Sequence, residues 1–336
     1  MKILAGDIGG TKTELAIFDM AEPKTPIFEM RFVNREQDSF ETMLKNFIKL
    51  SNESIQHICL AVAGTIINGR CIMPNIAWIL DEQEIRKTLA VEQVKLINDL
   101  EATAYGMLVL PSDKLLVINE GITNPSGNIA LIAAGTGLGE AILFRSEQGS
   151  SSQHYQIAAS EGGHVDYAPH NTLETELLRY IWAKFGHASW ERVVSGSGIA
   201  LIYEFLASSE NAADSFPDTF QVKSKIMSAT DRGAAIFQAA QSGESPISVQ
   251  AILMFIENYG AAAGNLALKV LSTGGLYIGG GIAPKLTGYF TTREFMQAFT
   301  DKGRFSEMLK NVPVKLILEP KTALLGAAVF AIQLKF

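Results

Sequence analysis

The sequence predicts an α/β fold made of two related α/β domains. Three observations carry this. Short, continuous apolar runs such as residues 57–63 (HICLAVA) and 94–97 alternate with stretches of helical periodicity, the pattern of a sheet with both faces covered. A Gly-rich turn between two apolar runs occurs near the start, in ILAGDIGGTKTELAIF at 3–18, and again in the second half, at Gly135-Thr136-Gly137-Leu138-Gly139. The two stretches align without gaps at an offset of 126 (144 − 18), which puts Gly9 on Gly135, Glu14 on Glu140 and Phe18 on Phe144. Two such domains face each other across a cleft, where small ligands usually bind.

In chain order, the runs 3–5 and 15–18 flank a turn holding Gly6, Gly9, Gly10, the acid Asp7 and the trio Thr11-Lys12-Thr13. A third strand is expected around 29–34. Phe40, Leu44, Phe47 and Ile48 recur at helical spacing, behind Asp38 or Ser39 as caps. Residues 57–63 read as a buried strand ending at Gly64, followed by short strands at 66–67 and 71–73. Asp81 and Glu84 have capping-box spacing and open a helix to Ala90. Residues 94–97 form a further buried strand ending in Asn98-Asp99, and 100–110 is helical up to Pro111. Strands follow at 115–118, 129–134 and 140–144, then a Ser-rich surface loop at 145–154. From Asn171 the chain is mostly helical, with periodicity over 172–185, 198–207, 222–241 and 248–271 and an exposed loop at 211–218. The strand 276–278 runs into Gly279-Gly280-Gly281. Helices near 293–299 and 305–309, a strand at 314–318 and an Ala-rich closing helix at 322–334 complete the order.

Composition narrows the function classes. A length of 336 residues allows two domains, and 47% hydrophobic content, 19% charged content and a net charge of −7 describe a soluble globular protein with a large core. No long basic patch stands out, which argues against nucleic-acid binding. The apolar residues after Lys2 stop at Asp7, too few for a signal-peptide core, and no run reaches the roughly 18 apolar residues of a membrane helix. No membrane partner is expected. Cys59 and Cys71 have neither metal-ligand nor redox spacing, which fits a reduced, cytoplasmic compartment.

The chemistry-bearing residues cluster around the turns. A Gly turn has little side-chain bulk, so its backbone N–H groups can approach a ligand, and a carboxylate beside it can hold a metal ion against phosphate oxygens. An ordinary hairpin turn is the other reading. Asp7 falls on Ala133, so only the first copy keeps the acid. Neither stretch is a P-loop: GxxxxGK[ST] is absent, and Glu140 breaks GxGxxG in GTGLG. Asp99 follows a buried strand, at the sheet edge where crevices form, and is either the cap of the next helix or a reactive carboxylate. Glu161 and His164 lie in SEGGH, where two glycines allow a tight bend, and Glu191 lies in WERVVSG. Carboxylates and amides of this kind suit hydroxyl-rich ligands. Surface charge, or a structural hydrogen bond for His164, is the alternative for each.

The set DIGGTKT, INDLEATAYG, AAGTGLGEAIL, EGGHVDYAP, YIGGGIAPK and TALLGAA, in that order over nearly the whole chain, resembles the actin-like sugar kinases. Within these it looks most like the bacterial glucokinase family, typified by the enterobacterial enzyme. The resemblance implies two actin-like (ribonuclease H-like) domains with a substrate cleft between them: a small one of residues 1–110 plus 318–336, and a large one of residues 111–317 with helical insertions. It implies ATP-dependent phosphorylation of D-glucose at the 6-hydroxyl, with Asp99 as general base. Asn75, Asn98, Asp99, Glu161, His164 and Glu191 would hold the sugar. Gly6, Asp7, Gly9, Gly10, Thr11 and Lys12 on one side, and Gly135, Thr136 and Gly137 on the other, would face the phosphates. Gly279, Gly280 and Gly281 would abut adenosine, and Asp7 would hold Mg²⁺. Lys12 is a departure, since the glucokinase family often has Asn there and the related repressor/kinase group often has Lys; an exposed turn lysine is the other reading of it. That group carries a Cys-rich zinc site after its EGGH stretch, whereas EGGHVDYAPHNTLETE has no Cys, so no zinc is expected. No helix-turn-helix precedes the hairpin, so a DNA-binding repressor is not expected either. A kinase for mannose, fructose or an N-acetylhexosamine would share the phosphate motifs. A non-catalytic sugar-sensing module is the alternative of another class, against which the retention of both Asp7 and Asp99 argues. A homodimer is a further family expectation.

Overall fold

A computed structural model of the chain describes residues 1–73, 76, 78–146, 155–208 and 218–333, with all their side chains except those of 22–24 and 159. Asn75 and, apart from residues 145, 146 and 218, the expected loops at 145–154 and 211–218 lie outside the described residues. The chain divides into two units: Met1–Lys114 with Ile157–Ala159 and Glu319–Phe336, and Leu115–Gln156 with Ser160–Leu318. Among the described residues no helix is long and apolar enough to cross a membrane.

The first unit holds β1 (Lys2–Ile8), β2 (Lys12–Asp19), β3 (Glu22–Val33), α1 (Phe40–Ser51), β4 (His57–Val62), the short β5 (Ile66–Ile67), β6 (Arg70–Met73) and β7 (Trp78–Asp81), α2 (Glu82–Leu89), β8 (Gln93–Asn98) and α3 (Asp99–Met107). Its main sheet has the order β3-β2-β1-β4-β8, antiparallel through β1 and parallel beyond it. Alternation along β1 splits its side chains between two cores. Leu4 and Ile8 pack with Phe40 and Phe47 of α1, while Ile3 and Ala5 face the closing helix Thr322–Gln333. Ser39 caps α1 by accepting the Thr42 N–H, and Asp81 caps α2 by accepting from Gln83 and Glu84. Strand β7 is a difference from the sequence reading, which ended that sheet at Met73. Its apolar run is only three residues, Trp78-Ile79-Leu80, with Leu80 buried and Ile79 exposed, yet Met73 pairs with Trp78 and Arg70 with Asp81.

The second unit is larger and more helical. It contains β9 (Leu115–Asn119), β10 (Ile129–Ala134), β11 (Leu138–Arg145), β12 (Tyr155–Ser160), α4 (Thr172–Phe185), α5 (Gly196–Ser208), α6 (Phe220–Ser228), α7 (Arg232–Ser242), α8 (Pro246–Val270), β13 (Gly275–Gly279) and β14 (Val314–Ile317), with further helices at Arg293–Thr300 and Ser306–Lys310. The sheet order is β12-β11-β10-β13-β14-β9. The core is built around α8, where Phe255, Tyr259 and Leu266 meet Phe290, Phe295 and Phe299. The single helix expected over 222–241 is two. Ala229 takes extended backbone at φ −69° and ψ 138°, and Asp231 starts α7 by accepting the Ala234 N–H.

The two Gly hairpins match in sequence but not in register. In the first, Asp7 stands opposite Glu14 and Ile8 opposite Thr13. In the second, Ala134 stands opposite Leu138 and Ile132 opposite Glu140, so the loop is one residue shorter. A one-residue slip changes the cross-strand partner and the face a side chain shares. Glu14, opposite Asp7, pairs with Arg31 at 3.3 Å at the surface, whereas Glu140 is buried. Phe18 is core and Phe144 is exposed. The gapless match of Glu14 with Glu140 and Phe18 with Phe144 is therefore one of sequence, not of environment.

Helix α3 meets the closing helix through glycines. A Cβ on Gly326 would run into the carbonyl oxygen of Ala102, and one on Gly106 into that of Thr322. Helix propensity alone favours Ala over Gly by about 1 kcal/mol. Overpacking opposes it, typically by about 1–3 kcal/mol, and here the obstacle is backbone that cannot rotate away. Gly326→Ala is expected to lower the denaturant midpoint; a midpoint equal to or above wild type would show that the helices do not approach this closely.

Candidate active site

In the first unit the carboxylates converge at the ends of parallel strands. Asp7 on β1 pairs with Ala61 on β4, and Ala61 with Ile97 on β8. Asp7 and Ile97 thus stand level, two strands and about 10 Å apart, and the chain turns into α3 immediately beyond. The cap of α3 is Asn98, whose Oδ1 accepts from the Leu100 N–H at 2.9 Å and the Glu101 N–H at 3.3 Å. Asp99 is the first helical residue, not the cap, and its Oδ1 also accepts from Leu100 at 3.0 Å. Of the two readings of Asp99, the capping one thus passes to its neighbour. With its Oδ1 holding the cap, Asn98 presents a ligand with its Nδ2 donors. Burial first, then the charges of Asp99 and Glu14, push the Asp7 carboxyl up to about 7. Asp7 is half-buried, and two carboxylates beside each other there favour a shared proton or a cation.

The hairpin beside Asp7 is fixed from behind by Asn34, a buried side chain that sequence reasoning missed. Its Nδ2 donates to the Gly9 carbonyl at 2.8 Å, its Oδ1 accepts from the Thr13 hydroxyl at 2.8 Å, and its backbone N–H donates to the Thr11 carbonyl at 3.0 Å. Thr11 and Lys12 of this turn are exposed and Gly9 and Gly10 half-buried, but Gly6 is fully buried. A Cβ on Gly6 would lie 2.7 Å from Leu60 Cδ2 and 3.0 Å from Leu15 Cδ2, so Gly6 is required by core packing and does not face a ligand.

In the second unit Glu161, His164 and Glu191 come together. The segment carrying Glu161 and His164 lies along the one before Glu191: the Tyr167 N–H donates to the Ala188 carbonyl at 3.0 Å and the Trp190 N–H to the Val165 carbonyl at 3.1 Å. His164 Nδ1 lies 3.9 Å from Glu191 Oε1, and His164 Nε2 lies 3.9 Å from Glu161 Oε2, beyond hydrogen-bond length but close enough to share one ligand. The glycines of SEGGH serve space and not a tight bend. Neither takes left-handed φ, and Cβ atoms there would strike Glu140 Oε2 from Gly162 and the Leu138 carbonyl from Gly163. Burial pushes the Glu140 carboxyl up, with Lys269 opposing.

The turn of Gly135, Thr136 and Gly137 lies at the end of β10, beside the end of β13. Nothing lies within 4 Å of a Cβ on Gly135. Gly279 is buried in β13, while Gly280 and Gly281 are exposed, and only Gly280 needs left-handed backbone, at φ +83°. The buried Tyr259 hydroxyl sits where the two strands part. It accepts the Ala134 N–H at 3.0 Å and lies 3.4 Å from the Ile132 carbonyl and 3.5 Å from that of Gly279. Tyr259 is separated from these residues by 20 residues or more, so no local pattern announces it.

The family model for glucokinases matches residues 4–334. A glucokinase of Synechocystis is 41% identical over 99% of this chain and 98% of its own. The crystal structure of a glucokinase from an Antarctic psychrotroph superposes with a TM-score of 0.82 at 31% identity, covering 99% of both chains. A ROK family glucokinase from Streptomyces griseus, solved in complex with glucose and AMPPNP, shares the fold at a TM-score of 0.64 and 19% identity, covering 99% of this chain and all of its own.

The raised Asp7 carboxyl has a consequence for stability. The folded state holds this proton up to about pH 7, against an ordinary value of 3.8, so the group's contribution is full below pH 3.8 and is lost as pH rises toward 7. In chelator, Asp7→Asn is expected to be more stable than wild type at pH 8 by about 1–3 kcal/mol, a difference that vanishes near pH 4. Denaturant titrations of both proteins at the two pH values check this; equal stability at pH 8 would show that the carboxylate is not strained.

Proposed function

The chain belongs to the glucokinase family, and we propose that it transfers the γ-phosphoryl group of ATP to the 6-hydroxyl of D-glucose, giving glucose 6-phosphate and ADP. Its fold is the two-domain actin-like α/β fold of that family. The observation that carries the reading is the pair Asp7 and Asp99, one acid on β1 and the other just past the end of β8 at the start of α3, with Asn98 taking the cap that would otherwise occupy Asp99.

Phosphoryl transfer needs positioning, charge neutralisation and a group that takes the acceptor's proton. Asp99 takes the proton of the 6-hydroxyl as the oxygen attacks phosphorus, a general-base role. Asn98 donates to a sugar hydroxyl through Nδ2. Glu161 and Glu191 accept from hydroxyls, and His164 contributes a third polar contact to the same sugar. The turns at Gly9, Gly10, Thr11 and Lys12 and at Gly135 and Thr136 hold the phosphates, and Gly280 and Gly281 leave room for adenosine. Asn75 is proposed as a further sugar contact from the sequence alone.

The residues present fit Mg²⁺. Asp7 sits in a carboxylate pair that a cation would relieve, and among the described residues no cluster of three or more His, Cys, Asp or Glu could form a closed cage. Mg²⁺ is commonly held by one or two carboxylates, waters and substrate phosphates. Asp7 would hold it, directly or through water, and when bound it neutralises charge on the phosphate oxygens. The ATP requirement supports a cytoplasmic setting.

A panel of hexoses in a coupled ADP-release assay tests the reading. Glucose is expected to show the highest kcat/KM, and chelation to abolish turnover until Mg²⁺ is restored. A higher value for mannose, fructose or an N-acetylhexosamine would reassign the substrate, and calorimetric glucose binding without ADP release would make the protein a sensor. Asp99→Ala is expected to lower kcat by on the order of 10²–10⁴ with the fold intact. Near-normal turnover would remove Asp99 from the mechanism.

A further inference from the structure

Two glycines of one turn meet very different surroundings. Gly135 has open space where its Cβ would stand. Gly137 has the carboxylate of Glu191: a Cβ there would overlap Oε2 and lie 3.2 Å from Cδ. Backbone conformation does not explain the glycine, since Gly137 takes no left-handed φ. The neighbouring N–H explains the carboxylate. Leu138 donates to Glu191 Oε2 at 3.0 Å, so that oxygen is drawn onto the turn, while Oε1 faces His164 Nδ1 at 3.9 Å. The backbone under Glu191 is fixed by a 3₁₀ turn at Trp190–Arg192 and by Ser195, whose hydroxyl donates to the Glu191 carbonyl at 2.7 Å.

We propose that Gly137 is a positioning residue for sugar recognition: its missing side chain is the seat of the Glu191 carboxylate, while Gly135 of the same turn serves the nucleotide. The inference rests on the reading of Glu191 as a sugar ligand. One turn then carries a residue for each substrate. A Cβ at position 137 pushes Glu191 off the Leu138 N–H, which leaves that donor unpaired and turns the carboxylate away from where it accepts sugar hydroxyls. A Cβ at position 135 meets no protein atom, so its effect falls on whatever phosphate approaches the turn.

The test compares Gly135→Ala, Gly137→Ala, Glu191→Ala and the double variant Gly137→Ala/Glu191→Ala, with KM measured for glucose and for ATP. Gly137→Ala is expected to raise the glucose KM about tenfold with the ATP KM changed less than about threefold, and Gly135→Ala to do the reverse. In the Glu191→Ala background the obstacle is gone, so adding Gly137→Ala is expected to change neither KM further. Residues that act through one another show this non-additivity. Because the double variant has no clash, it remains informative if Gly137→Ala alone folds poorly. A Gly137→Ala effect that multiplies with that of Glu191→Ala, or that falls mainly on the ATP KM, would overturn the inference and leave Glu191 as a sugar ligand. A Glu191→Ala protein with unchanged glucose KM would overturn the reading of Glu191 itself, and this inference with it.

Discussion

Two carboxylates side by side repel each other, and the first unit is arranged to hold Asp7 and Asp99 together regardless. The parallel register of β1, β4 and β8 brings the two strand ends level. Asn98 is the cap of α3, accepting from Leu100 and Glu101, and Asp99 stands beside it as the first helical residue. Behind α3, the closing helix lies so near that only glycine fits at positions 106 and 326. Behind the hairpin, Asn34 ties down the carbonyls of Gly9 and Thr11. Each contact is ordinary, and together they fix a geometry that the charges alone would not choose.

The second unit solves a different problem, that of bringing polar side chains to a turn crowded with backbone. Its glycines make room more often than they supply unusual dihedral angles. Gly162 and Gly163 let the Glu161–His164 segment rest on β11, and Gly137 admits a carboxylate. Gly280 alone among these takes a left-handed conformation, and there a side chain would also strike the Ala134 carbonyl. Tyr259 then ties the parted ends of β10 and β13 with a single hydroxyl.

Most of the scaffold was legible because buried strands and long amphipathic helices leave local patterns. Strands β4, β8 and β10, helices α1, α4 and α8, and the caps at Ser39 and Asp81 follow from apolar runs, helical spacing and short polar side chains. Strand β7 was not legible, since its apolar run of Trp78-Ile79-Leu80 is short and runs directly into the Asp81 cap of α2, and the break between α6 and α7 was hidden by apolar spacing that continues across it. Of the site, Asp7, Asp99, Glu161, His164 and Glu191 stand out because their motifs resemble a known family. Asn34, Tyr259 and the hold of Leu138 on Glu191 do not, because their partners are 25, 125 and 53 residues away in the chain. Gly6 misled for the reverse reason: it lies inside a phosphate-loop motif but answers to Leu60 and Leu15.

The placement of the closing helix bears on the order in which the protein comes into being. One face of the first sheet, lined by Ile3, Ala5, Ala16, Cys59 and Ala61, is covered by Leu324, Ala327, Ala328 and Ala331. A chain emerging from the ribosome makes the strands of that sheet first and their cover last. The second unit lies almost wholly between them in sequence and can fold while the first sheet still shows an apolar face. The helix that carries Asp99 gains its backing only when residues 322–333 have been made. A chain interrupted before residues 322–333 leaves uncovered the apolar face that they close.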